Sequence, residues 1–472
     1  MKLFTFSILF LIAAMSFFQL RAQTTDDKAF YEPTWESLDQ HKCPEWYKDS
    51  KIGISVHWGV YSVPAWCPRP EDPNGTAYAE WYWRRLSRND SLPNATQKYH
   101  KEKYGEDFDY DDFIPDFRAE KFDAARWMKF AKNAGAKYFF ITSKHHDGFC
   151  LWDTKYTNRN AMKMGPKRDL LQELVDAARK EGLKIGFYYS LYEWNNPLYT
   201  GKGLRYDGLI KCDNYVDDFM YPQLIELIDK YHPDFLYLDG EWDHPDEFWR
   251  TKEIAAYYYN QALERNQEVF INDRYGKGSR GKHGDIFNVE YHHGKENTGL
   301  LDKKWSYWRG IERTFGYNRD ARLEECMSPM ETIQMMVDGV ARNGNFDINI
   351  GPMASGIIPA YEKYPLSQMG DWLKVNGEAI YNTRPYTIQQ EGDIRFTTNG
   401  KYVYAIFFKW PGKKFTIKSI QPAEGSKIVM LGVDKSLDWS YDKERGLTIY
   451  YPDSLELPTK CSYAWVFRIE ES

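Results

Sequence analysis

Short apolar runs alternate with stretches of helical periodicity from about residue 50 to residue 350, and this alternation limits the fold of the 472-residue chain more than any other feature. Two helical stretches close at Gly135 and Gly182, as helix C-termini often do. The pattern favours an α/β fold, a (β/α)8 TIM-like barrel, over an open sheet, because the first strand ends in His57-Trp58-Gly59 and not in a glycine-rich phosphate loop. The predicted strands span 52–57, 138–143, 184–190, 235–239, 268–273, 285–290, 305–310 and 346–350. The predicted helices include 124–134, 170–181, 221–231, 251–265 and 328–342.

After about residue 380 the pattern changes to short strands separated by Gly, Pro, Asn and Asp, with no helical periodicity. This pattern predicts a small C-terminal antiparallel β-sandwich. We therefore predict a catalytic barrel over 30–380 and a β-sandwich over 385–472. The predicted strands of the sandwich span 393–398, 402–409, 414–417, 427–430, 447–450 and 461–469.

The segment 63–117 has no clear strand pattern and contains several proline and aromatic residues. It lies between the first predicted strand and its helix, where barrels of this kind carry long loops that face the substrate. We expect this segment to form part of the binding site.

The N-terminus has the layout of a secretory signal peptide over residues 1–22. Lys2 gives a basic start, an apolar stretch over 3–18 follows, and Ala22 is a small residue at the expected cleavage site. The apolar stretch is shorter than the 18 or so residues that a membrane span needs, although an uncleaved anchor is an alternative. We expect an exported protein, periplasmic, secreted or lysosomal according to the host, with no integral membrane span after cleavage.

Composition narrows the classes of partner and ligand. The formal net charge is -6, so no basic stripe indicates a nucleic-acid partner. The six cysteines are widely and irregularly spaced without a C-x-x-C motif, which argues against a zinc or redox site and leaves their pairing open. Aromatic residues make up 17% of the chain. Tyr and Trp present flat apolar faces with a polar edge, so they suit sugar rings, although an aromatic core is the simpler explanation.

Titratable and aromatic side chains follow six of the predicted strands, at the barrel end where active sites of this fold lie. Asp239 directly follows the apolar run 235–238, and Gly240 permits a sharp turn after it. A helix N-cap or a loop ion pair would also explain Asp239. The strand-end groups are His57-Trp58, His145-His146-Asp147, Tyr188-Tyr189-Ser190, Asp239-Gly240-Glu241-Trp242, Asn272-Asp273-Arg274 and Glu290-Tyr291-His292.

Asp239 and Glu290 form a candidate catalytic pair because both end strands at the same barrel face. Carboxylates about 5–5.5 Å apart suit retaining glycoside hydrolysis, and about 6.5–9.5 Å suits inversion. Three other carboxylates, Glu80, Glu193 and Glu241, compete for these roles.

His145 and His146 are better explained by hydrogen bonds to sugar hydroxyls than by a metal ion, and we predict no metal site. Neighbouring residues of a strand point to opposite faces, and no third ligand lies at zinc spacing. Arg274 could bind a hydroxyl or a carboxylate, or form an ordinary surface ion pair. His292-His293 are expected on a loop.

Several sequence blocks together resemble glycoside hydrolase family 29, the α-L-fucosidases. The similarity runs in order from about residue 35 to 385, and the joint occurrence of the blocks makes it specific. The C-terminal part is similar to that family's β-sandwich only in type. The blocks are GISVHWGVYSVPAW (53–66), Glu80-Trp81-Tyr82, TSKHHDGFCLWDT (142–154), GFYYSLYEW (186–194), LYLDGEW (236–242), INDRYG (271–276), WRGIERTFGYNR (308–319) and VARNGNFDINIGPMASGIIP (340–359).

The resemblance implies an exo-acting retaining α-L-fucosidase that hydrolyses terminal α-L-fucosides of glycans through a covalent glycosyl-enzyme and needs no cofactor. It implies Asp239 as nucleophile and Glu290, within the block 285–292, as acid/base. One departure is that family members often have Glu where this chain has Ser306. The implied fucose pocket comprises His57, Glu80, Trp81, His145, His146, Tyr189 (with Tyr188 as the alternative), Arg274 and Phe315.

Two other functions fit the same residues. One is a catalytically silent fucose-binding protein on the same scaffold, which would be expected to lack one of the two carboxylates. The other is a hydrolase of a related sugar such as an α-L-galactoside, which has the stereochemistry of fucose and a hydroxyl at C6.

Overall fold

The computed structural model describes residues 30–69, 78–89, 91–291, 303–433, 435–459 and 462–471. The predicted signal peptide over 1–22, His292-His293 and Cys461 lie outside the described residues. The five described cysteines are free: Cys43, Cys67, Cys150, Cys212 and Cys326.

Eight parallel strands form the first sheet, in the order β5-β4-β3-β2-β1-β8-β7-β6, and confirm the predicted α/β barrel architecture. Most of their residues are buried, as parallel strands covered on both faces require. The strands are β1 (Ile52–Val56), β2 (Tyr138–Lys144), β3 (Lys184–Ser190), β4 (Phe235–Asp239), β5 (Phe270–Ile271), β6 (Phe287–Glu290), β7 (Trp305–Gly310) and β8 (Gly344–Ile350).

Six longer helices follow barrel strands: α1 (Ala124–Asn133), α2 (Leu170–Glu181), α3 (Tyr221–Tyr231), α4 (Thr251–Glu264), α5 (Pro329–Ala341) and α6 (Ala360–Asn376). Gly135 and Gly182 follow α1 and α2 with positive φ, as predicted. No described helix combines the length and apolarity that crossing a bilayer requires. The remaining helical segments, of which Ala95–Tyr104 is as long as α1, are Trp35–Leu38, Glu45–Ser50, Val60–Ser62, Ala79–Trp81, Tyr82–Leu86, Ala95–Tyr104, Tyr110–Asp116, Pro197–Thr200, Tyr215–Met220, Asp246–Trp249, Leu323–Glu325 and Gly377–Ala379.

The barrel closes between β5 and β6, the two ends of the strand order, and side chains supply much of this seam. β5 has two residues, fewer than the six predicted over 268–273. The backbone N–H of Asp285 donates to the carbonyl of Ile271 at 3.0 Å, and the Asp285 carboxylate accepts the N–H of Ile271 at 2.9 Å. The Asp273 carboxylate accepts the N–H of Asn288 at 3.2 Å. We call these contacts the β5–β6 seam.

The predicted loop over 63–117 contains helices and is anchored beside the barrel mouth, the end where the strands terminate. Asp111 pairs with Arg159 at 2.6 Å in the interior. The Arg159 guanidinium packs against the rings of both Trp83 and Tyr206, 4.8 and 4.6 Å from their centroids. A charge buried in this way needs a partner, and the ion pair therefore fixes the insertion to the loop after β2.

The C-terminal domain is an antiparallel sheet in the order β12-β15-β14-β13-β16-β11-β10-β9. The sheet folds over on itself, because Phe415 of β12 packs 4.9 Å from Phe467 of β16, four places away. Two strands, β9 and β14, were absent from the prediction. The strands are β9 (Arg384–Glu391), β10 (Ile394–Thr398), β11 (Tyr402–Phe407), β12 (Lys414–Ile417), β13 (Ile428–Met430), β14 (Ser436–Asp442), β15 (Gly446–Tyr450) and β16 (Trp465–Glu470).

The two domains share a core. Tyr404, Ile406 and Val466 of the C-terminal sheet belong to the same buried cluster as Trp372 of α6. The indole N–H of Trp372 donates to the carbonyl of Ala464 at 2.9 Å. The C-terminal domain therefore packs on the side of the barrel, away from the mouth.

Candidate active site

Asp239, Arg274 and Glu290 meet at the barrel mouth. Asp239 ends β4, Glu290 ends β6, and Arg274 follows β5. One terminal nitrogen of Arg274 donates to Oδ1 of Asp239 at 2.5 Å. The other donates to Oδ1 of Asn288 at 2.5 Å and to Oε1 of Glu290. The two carboxylates singled out in the sequence therefore bind the same guanidinium group.

Asp239 is buried and surrounded by groups that stabilise its ionised form. The Tyr188 hydroxyl donates to Oδ2 at 2.7 Å, and Nε2 of His146 lies 3.5 Å from the same oxygen. Burial alone raises the pKa of the carboxyl, but Arg274, His146 and Tyr188 outweigh it and hold the pKa well below its usual range. Asp239 is therefore an anion at neutral pH.

Glu290 is the more accessible of the two carboxylates. Its side chain is 28% exposed, against 10% for Asp239. Asn288 lies two residues earlier on the same face of β6, and its amide donates to the Ser306 hydroxyl at 2.9 Å. Asn288 thus links the end of β6 to β7 and to Arg274.

Three histidines predicted at strand ends, His57, His145 and His146, are buried together beside Asp239. The ring centroids of His145 lie 5.5 Å from His57 and 4.3 Å from His146. Burial lowers the pKa of His57 to about 3 and that of His146 to about 4, and it also lowers the pKa of His145. All three rings are neutral at neutral pH, so each can donate one hydrogen bond and accept another.

Hydrogen bonds orient two of these rings and leave the third available. Nδ1 of His57 lies 2.8 Å from Oδ1 of Asn349, and Nδ1 of His146 lies 2.6 Å from the Ser190 hydroxyl. Nδ1 of His145 is buried without a hydrogen-bond partner within the described part of the chain. His145 therefore has an unused hydrogen-bonding group at the site.

The structure places Tyr188 rather than Tyr189 at the site, which corrects the predicted pocket. The Tyr189 hydroxyl donates to Oε1 of Gln223 at 2.8 Å and accepts from Nζ of Lys144 at 3.2 Å, on the helix side of β3. Tyr188 is on the opposite face of the strand and donates to Asp239. The reason is the alternation of side chains along a strand.

Phe315 and Glu80 form one wall of the site. The Phe315 ring stacks on His57 with centroids 4.8 Å apart. Oε2 of Glu80 accepts hydrogen bonds from the Thr314 hydroxyl at 2.9 Å and the N–H of Gly316 at 2.8 Å, while Oε1 is buried without a partner among the described residues. Burial raises the pKa of Glu80 to about 7 despite these bonds.

Trp81 follows Glu80 in the chain and lies next to His146, with their centroids 6.1 Å apart. Its ring also packs against Trp194 at 5.1 Å and Trp242 at 6.1 Å. Trp81 is half-buried, so one part of the ring remains accessible from the mouth.

The other candidate carboxylates have different surroundings. Glu193 pairs with Lys144 at 2.8 Å, and both side chains are fully buried away from solvent. Glu241 accepts a hydrogen bond from Nε of Arg280 at 2.5 Å, and burial raises its pKa. The described residues include no group of three or more His, Cys, Asp or Glu side chains arranged to hold a metal ion.

Two asparagines at the site, Asn288 and Asn349, were not singled out in the sequence. Their signal is polar alternation inside apolar strands: Asn345, Asp347 and Asn349 alternate with apolar residues along β8, and Asn288 precedes Glu290 by two. Residues spaced by two share a face, so these side chains were predictable as barrel-facing.

Comparison with known families agrees with this site and fold. The family model for alpha-L-fucosidase matches residues 18–378, and the model for the alpha-L-fucosidase C-terminal domain matches residues 389–470. The chain belongs to the alpha-L-fucosidase family. The resemblance to glycoside hydrolase family 29 is therefore confirmed, and this family member is a glycoside hydrolase.

Relatives and solved structures of alpha-L-fucosidases cover nearly the whole chain. Tissue alpha-L-fucosidase of Rattus norvegicus is 35% identical over 445 residues, covering 93% of this chain and 92% of the relative. Plasma alpha-L-fucosidase of Homo sapiens is 35% identical over 450 residues, covering 93% and 92%. The crystal structure of Thermotoga maritima alpha-fucosidase in complex with a mechanism-based inhibitor has a TM-score of 0.77 and 35% identity, covering 93% of this chain and 100% of that chain.

Proposed function

We propose that this alpha-L-fucosidase family member is an exo-acting retaining enzyme that removes terminal α-L-fucose from glycans. Asp239 attacks C1 of the fucoside and forms a covalent glycosyl-enzyme, while Glu290 protonates the departing oxygen. Glu290 then deprotonates the water that releases fucose. The observation that carries this proposal is that one guanidinium, that of Arg274, binds both carboxylates at the mouth.

The surroundings of Asp239 support its assignment as nucleophile. Arg274 and Tyr188 hold the carboxylate in its ionised form and in one orientation. The oxygen that attacks C1 exchanges a hydrogen bond for a covalent bond, and the remaining partners stabilise the other oxygen. Preorganised partners of this kind avoid reorganisation during the reaction.

The position of Glu290 supports its assignment as acid/base, since the group that handles the leaving oxygen and water must be reached from solvent. Its partner in the free enzyme is Arg274. A protonated carboxyl cannot form an ion pair, so in the proposed cycle the contact between Glu290 and Arg274 weakens from an ion pair to a hydrogen bond with a neutral acceptor when Glu290 takes up its proton. Arg274 then remains with Asp239.

The neutral histidines and the wall residues support a pocket for one fucose unit. His57, His145 and His146 would bind hydroxyls, and Trp81 and Glu80 would bind further hydroxyls. The Phe315 ring would receive the apolar C5 methyl group. Tyr188, which donates to Asp239, replaces Tyr189 in the proposed pocket.

The test is the configuration of the first product. Proton NMR during hydrolysis of an aryl α-L-fucoside is expected to show α-L-fucose before mutarotation. Initial release of β-L-fucose would contradict the retaining mechanism. Fucose binding without turnover would indicate the silent binding protein, and faster hydrolysis of the aryl α-L-galactoside would indicate the related sugar.

We also propose that the protein is exported after removal of residues 1–22. The support is the basic, apolar and small-residue pattern of that segment. N-terminal sequencing of the protein from its native host is expected to begin at Gln23. A chain that retains Met1 and remains in the membrane fraction would indicate the uncleaved anchor.

A further inference from the structure

A row of aromatic side chains begins beside Asp239 and continues outward across the barrel mouth. It consists of Trp242, Tyr192, Tyr199, His244 and Phe248, and we call it the aromatic strip. Its residues belong to the segments that follow β3 and β4, which lie on the active-site side of the barrel. None of them has a role in the proposed chemistry.

The rings of the aromatic strip form a continuous path. From His146 at the active site, ring centroids are 5.4 Å to Trp242, then 5.6 Å to Tyr192 and 5.8 Å to Tyr199. The path continues 6.0 Å to His244 and 3.9 Å to Phe248.

The two ends of this path differ in exposure: His146 is 1% exposed and Phe248 is 41% exposed, whereas Tyr192, in the middle of the path, is buried. Trp242, Tyr199 and His244 are half-buried, and Tyr192 lies beneath them. The strip therefore leads from the buried reaction centre to solvent.

The aromatic strip is held rigidly by the residues around it. The buried Trp249 donates its indole N–H to the carbonyls of Glu241 and His244 at 3.3 and 3.0 Å. The N–H of Lys277 donates to the His244 carbonyl at 2.8 Å, and the Tyr199 hydroxyl donates to Asp243 at 2.8 Å. Rings fixed in this way lose little entropy when a ligand packs on them.

Acidic side chains lie at the outer end of the aromatic strip, whereas Arg84 lies near its inner part, beside Tyr192. Asp246 and Glu247 pair with Lys252 at 3.1 and 3.0 Å. Asp243 is exposed and makes no salt bridge with any described residue. An anionic ligand on the strip would meet this carboxylate, whereas a neutral ligand could use it as a hydrogen-bond acceptor.

We propose that the aromatic strip binds the part of the substrate beyond fucose, and that this part is a neutral oligosaccharide. The inference rests on the proposed function and deepens it. Its basis is that the strip is continuous with the reaction centre, so the occupant is the glycan attached to the fucose being removed. Flat sugar faces pack on the rings, and the Asp243 carboxylate accepts a hydroxyl.

The first test compares two substrates in wild type and Phe248→Ala. α-L-Fucosyl fluoride carries no sugar beyond fucose, whereas a neutral fucosylated tetrasaccharide reaches along the strip. In Phe248→Ala, the ratio of kcat/KM for the tetrasaccharide to that for the fluoride is expected to fall about threefold to tenfold, the equivalent of one aromatic contact. The fraction of active enzyme cancels from this ratio, so a partly misfolded preparation does not change it.

The matched control is Tyr450→Ala, which removes an aromatic ring of similar exposure, 39%, from the C-terminal domain. Tyr450→Ala is expected to leave the ratio unchanged. An unchanged ratio in Phe248→Ala would overturn the inference about the strip. Failure of the wild type to hydrolyse either substrate would instead overturn the proposed function.

The second test addresses charge. Asp243→Asn is expected to raise kcat/KM for a sialylated form of the tetrasaccharide about threefold relative to the neutral form at low ionic strength, because it removes a like charge near the surface. The gain is expected to shrink as salt is added. Equal effects on both tetrasaccharides would contradict the neutral-substrate assignment.

Discussion

Two buried aspartates inside one barrel have opposite pKa shifts. Asp239, at the mouth, has a pKa held well below its usual range, whereas burial raises the pKa of Asp347, in the middle of β8, to about 6. Asp347 accepts hydrogen bonds from the hydroxyls of Tyr138 and Tyr237, the latter at 2.5 Å. It makes no salt bridge with any described residue.

The difference lies in the kind of partner. Both carboxylates accept hydrogen bonds from tyrosines, but only Asp239 is paired with a guanidinium. Neutral phenols do not compensate for burial of a full charge, whereas an adjacent cation does. The partners at the mouth thus keep Asp239 charged, whereas the partners of Asp347, deeper in the barrel, favour its protonated form.

The largest expected effect is on turnover after removal of the charged carboxylate. Asp239→Gly is expected to lower kcat about 10⁴-fold or more, as loss of a nucleophile does. Azide is expected to restore turnover because a small anion fits the space left by the side chain. Asp347→Asn is the matched control, because it alters the other buried carboxylate without touching the mouth. Retained activity in Asp239→Gly, or the lack of any azide rescue, would contradict the nucleophile assignment.

The second prediction removes the cation. Arg274→Gln is expected to lower kcat/KM about 10²–10³-fold, in the range for loss of a preorganised charge-stabilising group. Without the guanidinium the pKa of Asp239 rises, so the acidic limb of the pH profile of kcat/KM moves to higher pH. Arg280→Gln is the control, since Arg280 lies 3.9 Å from Asp239 and is 43% exposed; its shift should have the same sign and be smaller. An unmoved acidic limb in Arg274→Gln would refute this account.

The third prediction concerns stability and the lower aspartate. The folded-state pKa of Asp347, about 6, exceeds the ordinary value of 3.8, so the folded protein binds the proton more tightly than the unfolded chain. Its contribution to the free energy of unfolding is therefore largest at low pH and is lost as the pH rises from 3.8 to about 6. Urea unfolding of Asp347→Asn and wild type should show the variant gaining about 2 kcal/mol relative to wild type between about pH 4 and pH 7. A difference that does not depend on pH would exclude this linkage.

The smallest effects come from deleting one tyrosine hydroxyl that donates to Asp347 and one that donates to Asp239. Tyr237→Phe is expected to lower the free energy of unfolding by about 1 kcal/mol, since a buried carboxyl loses one donor. Tyr188→Phe is expected to lower kcat/KM about tenfold, because the lost donor belongs to Asp239. Thermal or urea unfolding and steady-state kinetics on both variants would show whether each substitution lowers the free energy of unfolding or kcat/KM. A similar loss of activity in both variants would show that the surroundings of Asp347 affect catalysis as much as those of Asp239.

Much of the site was predictable because parallel strands of a barrel end on one face. That rule placed Asp239, Glu290, Arg274 and the histidines together without any knowledge of their distances. It could not choose between Tyr188 and Tyr189, because the choice depends on which strand face points inward. β2 and β3 change register between Thr142 and Lys144, opposite these tyrosines, so the facing residues could not be counted from sequence.

The missed strands have a physical reason as well. β9 contains Pro385, Gln389 and Gln390, and β14 is mostly exposed, so neither has the apolar alternation that a sequence pattern detects. Both are set by pairing with neighbouring strands. β5 is short because the side chains of the β5–β6 seam take over hydrogen bonds that a longer strand would make.

The β5–β6 seam also makes the geometry of the proposed active site depend on closure of the barrel. Arg274 lies just after β5, on one side of the seam, and its guanidinium binds Asn288 and Glu290 of β6 on the other side. If β5 and β6 separate by even a side-chain length, Glu290 moves away from Asp239, the two residues of the proposed catalytic pair, while most of the hydrophobic interior stays intact. At moderate temperature or denaturant concentration, such a molecule would lose activity well before global unfolding.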